Sequence, residues 1–117
     1  MTVYLPNREK AYVPPEKLSG YLLSETHVLG KEKARFFRGH GYSNDKVKVL
    51  EQGLLAIALE GAVLQEVASA HGTKYIVEGG MMTPQGRIIN VRTVWIAEPG
   101  DDGPRLVTAF PAKEAKR

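Results

Sequence analysis

Five side chains between positions 71 and 108 are of the types that move protons and hold anions: His71, Lys74, Glu78, Arg92 and Thr108. A histidine exchanges protons near neutrality at its ordinary pKa, and a carboxylate such as Glu78 serves as a general base. Lys74, Arg92 and Arg105 supply positive charge for a phosphate, while Thr93 and Thr108 donate hydrogen bonds to it. Tyr75 and Trp95 offer rings on which a base can stack. Each also has a plainer reading. His71 precedes Gly72 at a turn, where a solvated histidine is ordinary, and Arg105 stands within reach of the acidic loop at Asp101 and Asp102. Lys74, Glu78 and Arg92 can equally form a structural ion network. His27 reads as a loop residue, His40 as a helix-end residue, and Trp95 and Phe110 as core aromatics.

These residues need strands to hold them. His71 to Pro111 alternates β-branched and apolar runs with Gly, Pro and Asp punctuation, the pattern of strands joined by tight turns. The expected strands are Thr73 to Met81, Arg87 to Ala97 and Arg105 to Phe110, with Thr83-Pro84-Gln85-Gly86 as a turn. Gly79-Gly80 suggests a bulge or kink near the end of the second strand. An earlier strand is expected over AVLQEVASA after Gly61, where Gly61 interrupts a helical stripe. That stripe, Val47, Leu50, Leu54, Ile57 and Ala58 with Leu55 and Leu59 widening it, predicts a helix ending near Glu60. Ser43, Asn44 and Asp45 are its candidate N-caps. Lys31 onward, KEKARFFRGHG, predicts a shorter helix, and PEKLSGY from Pro15 a helical turn.

The sum is an α+β domain over 11–111, two N-terminal helices packed on a four-stranded antiparallel meander. Residues 1–10 are expected to be a leader and 112–117 a basic tail. One sheet face takes the helices and the other stays available. In the third strand Ile88, Asn90, Arg92, Val94 and Ile96 share a side, so Asn90 and Arg92 make a polar centre on an apolar face. That centre is the expected site.

Composition narrows the chemistry. The 117 residues are 43% hydrophobic and 25% charged, average for a globular chain and the size of one domain. No apolar run is long enough to cross a bilayer and the first residues lack a signal-peptide core, so the expected compartment is the cytoplasm. Absence of cysteine removes disulfides, thiolate metal sites and cysteine nucleophiles. His and acidic residues lack metal-ligand spacing and there is no GxxxxGK[ST] loop, so neither metal nor organic cofactor is expected. The net charge of +3 permits a polyanionic partner without requiring one.

Five motifs carry a resemblance: GKEKARFF at Gly30 to Phe37, GTKYIVEG at Gly72 to Gly79, TPQGR at Thr83 to Arg87, VRTVW at Val91 to Trp95 and PRLVTAFP at Pro104 to Pro111. In this order they resemble an uncharacterised family of small bacterial and archaeal domains, over Tyr12 to Pro111. That family is similar in layout to the barnase–EndoU–colicin–RelE superfamily of small ribonuclease domains. There, helices precede a four-stranded antiparallel sheet that binds RNA, and the proteins are commonly toxins held by a dedicated partner. The resemblance implies a ribonuclease-like toxin; on the residues themselves, metal-independent RNA cleavage would draw on His71, Lys74, Glu78, Arg92 and Thr108 as its catalytic set. Tyr75, Asn90, Thr93 and Arg105 are then the substrate-binding set. Two alternatives stand beside it: a non-enzymatic binding module, either a partner in a toxin system or an RNA-binding domain, and a homo-oligomeric domain such as a homodimer using its open sheet face.

Overall fold

The computed structural model describes residues 2–28 and 30–112. Its elements are α1 (Pro15–Lys17), which runs into a π turn (Leu18–Leu22), α2 (Lys31–Gly39), α3 (Val47–Glu60), β1 (Ala62–Ser69), β2 (Gly72–Met82), β3 (Ile88–Ala97) and β4 (Arg105–Pro111). The strands form one antiparallel sheet in the order β1-β2-β3-β4. The architecture is α+β, as its periodicities require. Of the expected tail, residues 113–117 lie outside the described residues.

Leu50, Leu54, Ile57 and Ala58 of α3 are buried, as a 3.6-residue period demands of a helix lying on a sheet. Leu59 faces outward at 44% exposure, so the stripe is narrower than its sequence suggests. None of the candidate N-caps makes a side-chain cap bond. A 3-10 turn (Asn44–Lys46) precedes α3 instead, with the Lys46 N–H on the Ser43 carbonyl at 2.8 Å, while the Asn44 side chain is engaged by Arg38.

Alternation decides the sheet. Val91, Thr93 and Trp95 of β3, Val77 and Met81 of β2, and Leu106 and Ala109 of β4 point into the core beneath α3. The β2–β3 register runs unbroken through Gly79↔Val91 and Gly80↔Asn90, so the expected bulge is absent there. Gly79 serves close approach instead: a Cβ on it would come within 3.3 Å of Ile57 on α3. Register shifts occur in β1 between Val63 and Gln65 and in β4 opposite Val94 and Trp95.

The expected leader is part of the fold. Leu5 is 2% exposed in the core and the Val3 carbonyl accepts the Val63 N–H at 2.8 Å. Tyr12 bridges to Arg105 at the start of β4 in parallel sense, exchanging backbone bonds with Pro104 and Leu106 at 3.0 and 3.1 Å. Its hydroxyl donates to Asp101 at 2.8 Å, and Arg105 pairs with Glu98 at 2.9 Å. The bond to Asp101, then burial, pushes the Tyr12 phenol above its ordinary range.

Thr93 is fully buried, contrary to a substrate-binding role. Trp95 Nε1 donates to its hydroxyl at 2.7 Å, and that hydroxyl donates to the Val77 carbonyl at 2.9 Å. Removing it strands a buried indole N–H. Thr93→Val is therefore expected to keep the fold and lower unfolding free energy by about 2 kcal/mol, read by urea denaturation. Tyr12 gives a pH-dependent counterpart. Its folded pKa is raised, so its contribution is complete below about pH 10 and is lost as pH rises through the folded value. The stability advantage of the native protein over Tyr12→Phe should accordingly shrink in alkaline urea titrations.

Candidate functional site

Register places Lys74, Ile76 and Glu78 of β2, Asn90, Arg92, Val94 and Ile96 of β3, and Arg105, Thr108 and Phe110 of β4 on the face opposite the core. Six of the expected site residues thus share one surface: Lys74, Glu78, Asn90, Arg92, Arg105 and Thr108. Arg92 finds its partner in Glu78, with Nε donating to Oε1 at 2.9 Å. Both side chains stay about one-third exposed, at 37% and 32%, so solvent or a ligand reaches the pair. Phe110, expected in the core, is half-buried on this outer face opposite Arg92. Met82 and Ile88 stand at one end of the face, 57% and 68% exposed.

The other three expected residues lie elsewhere. His71 is exposed in the turn between β1 and β2, on the opposite side of the sheet from β4. Tyr75 and Thr93 face inward. Tyr75 pairs with Trp95 across the strands and packs on the core, where burial and then Glu66 raise its phenol pKa.

A cleft of about 510 Å³ opens beside β4, lined by Glu16, Lys17, Gly20, Tyr21, His27, Val107 and Thr108. Thr108 joins this cleft to the outer face. Its hydroxyl lies 3.0 Å from the Tyr21 hydroxyl, and the Tyr21 ring meets the His27 ring edge-on at 5.0 Å. The Lys17 and Lys33 ammonium groups stand 4.9 and 5.9 Å from the centre of the same Tyr21 ring. His27 Nδ1 accepts the Gly30 N–H at 3.1 Å, so the neutral ring carries its hydrogen on Nε2. The cleft therefore combines an imidazole ring, two hydroxyls and the Lys17 ammonium against one carboxylate, Glu16, with the Lys33 ammonium beside the Tyr21 ring.

Local geometry builds this arrangement. The wide π turn closes through the Leu23 N–H on the Leu18 carbonyl at 2.8 Å, burying Leu18 and Leu22 while Tyr21 is half-buried at the edge of the core. Gly30 lets the start of α2 touch that turn, because a Cβ there would lie 2.3 Å from the Tyr21 carbonyl oxygen. That contact brings Tyr21 and His27 together. Only Thr108 of the expected catalytic set lies here. Lys17, Tyr21 and His27 were legible only as a helical turn and a loop; the nearest signal was Ser24 three residues before His27, the spacing of a hydroxyl-closed turn.

Among the described residues no group of three or more His, Cys, Asp or Glu could hold a metal ion. None of their helices is long and apolar enough to cross a membrane.

Comparison with solved structures finds a chain in a contact-dependent growth inhibition toxin–immunity protein complex from Klebsiella pneumoniae 342. The two superpose with a TM-score of 0.71, over 92% of this chain and 98% of that one, at 15% sequence identity. The likeness is one of fold. No curated protein matches. The model of a domain of unknown function, DUF6883, matches residues 4–113, nearly the whole sequence described above, and the chain belongs to that family.

Proposed function

We propose that this domain cleaves RNA without a metal and is the toxin half of a toxin–immunity pair, acting on RNA in the cytoplasm. The observation that carries the reading is the gathering of His27, Tyr21, Thr108 and Lys17 in one cleft that opens onto the outer sheet face. Cleavage needs a base for the ribose 2′-hydroxyl proton, an acid for the leaving oxygen, and cations and donors around the phosphate between them. In this reading the Glu16 carboxylate takes the 2′-hydroxyl proton and the Lys17 ammonium gives one to the leaving oxygen, while the His27 Nε2–H and the Tyr21 and Thr108 hydroxyls donate to the phosphate oxygens. Arg92 and Lys74 hold flanking backbone along the outer face, with Asn90 and Arg105 at its margins. His71 has no part, because it stands at the hairpin farthest from β4.

The toxin-system assignment is supported by the likeness to a chain from a toxin–immunity complex. A dedicated protein partner is further supported by exposed Met82 and Ile88, which leave apolar area on the same face as Arg92.

The reading is tested by incubating the protein with total cellular RNA in EDTA beside His27→Ala and Arg92→Ala. Cleavage should survive the chelator and fall about 100-fold or more with His27→Ala. Arg92→Ala should weaken RNA binding and its salt dependence more than the cleavage step. Intact RNA at high protein concentration, or undiminished cleavage by His27→Ala, would reject the assignment.

A further inference from the structure

Arg38 lies on α2, outside the cleft lining, yet its guanidinium is committed to the segment that carries the cleft. Nε and Nη2 both donate to the Leu23 carbonyl, at 2.9 and 2.6 Å, and Nη2 also donates to Asn44 Oδ1 at 2.9 Å. Glu25 Oε2 stands 3.9 Å from Nε. A planar fork that spends two N–H groups on one backbone oxygen fixes that peptide in place.

The peptide it fixes is the junction between Tyr21 and His27. Leu23 is fully buried, the Ser24 N–H bonds back to the Tyr21 carbonyl at 3.2 Å, and Ser24 Oγ accepts the N–H groups of Thr26 and His27 at 3.3 and 3.1 Å. Beyond His27, its carbonyl accepts the N–H groups of Gly30 and Lys31 at 3.2 and 3.0 Å. The loop is therefore held by short-range bonds along its length, and Arg38 ties its first peptide to α2 across fifteen residues of sequence.

We propose that Arg38 is a positioning residue: by clamping the Leu23 carbonyl it sets the His27 ring against Tyr21 and keeps Nδ1 on the Gly30 N–H. Its kinetic consequence rests on the reading of the cleft as a ribonuclease centre. Its structural consequence does not.

The test pairs two readouts on Arg38→Met and Arg38→Lys, in full-length protein checked for folding by circular dichroism. Nitrogen NMR of the histidine rings, with the His27 signals assigned by their loss in His27→Gln, reports the tautomer. In the native protein the neutral ring should hold its hydrogen on Nε2; in Arg38→Met the two tautomers should mix. Cleavage of total RNA should show kcat down on the order of tenfold or more with KM within about twofold, since loss of orientation acts on the reacting step. Arg38→Lys should fall between, because one ammonium cannot reproduce the fork, and it carries the test if Arg38→Met does not fold. A folded variant with the native His27 tautomer overturns the proposal. Changed His27 signals in a protein that cleaves no RNA would uphold the positioning role and reject the ribonuclease reading. Cleavage lost in His27→Gln but native in both Arg38 variants would do the reverse.

Discussion

The strict two-residue alternation of β3 is the constraint on which the rest depends. Once Val91, Thr93 and Trp95 are committed to the core under α3, Asn90, Arg92 and Val94 must face the other way. The Trp95–Thr93–Val77 hydrogen-bond relay makes that commitment costly to reverse, because a slip of one residue would bury Arg92 and expose an indole. The sheet's chemistry thus follows from its packing. An arginine with apolar neighbours on both sides is tolerable only outside, and there it takes the Glu78 carboxylate directly across the ladder.

Such periodic constraints were legible in the sequence. The α3 stripe, the four strands and the Thr83–Gly86 turn all announce themselves through spacing, and so does the grouping of Lys74, Glu78, Asn90 and Arg92 on one face. What spacing could not convey was how local chemistry is spent. The N-caps went unused because a 3-10 turn does their work, and Gly79 answers to a helix side chain rather than a bulge. Leu5 reads as one apolar residue in a polar leader, yet tertiary packing gives it a place in the core.

The cleft illustrates the same division. Thr108 was visible as a strand residue, but Tyr21 and His27 come to it from an aperiodic stretch, and no pattern within that stretch points to β4. Their meeting depends on a π turn and on a glycine whose missing side chain admits a carbonyl. Neither has a period. Thr93 and Tyr75 mark the converse case, where side chains suited to a ligand are used by the protein on itself.

The N-terminal dozen residues close the sheet at both ends in unequal fashion. At β4, Tyr12 occupies the first backbone positions of the free edge, and Tyr21 stands against Thr108 farther along. At β1 the Val3 carbonyl covers Val63; beyond it the strand carries a register break and the exposed charge of Glu66. Borrowing of a strand by another chain is blocked where these residues lie, at Val63 and at the start of β4. In the reading proposed above, recognition of this molecule runs through side chains, over its outer face and into its cleft.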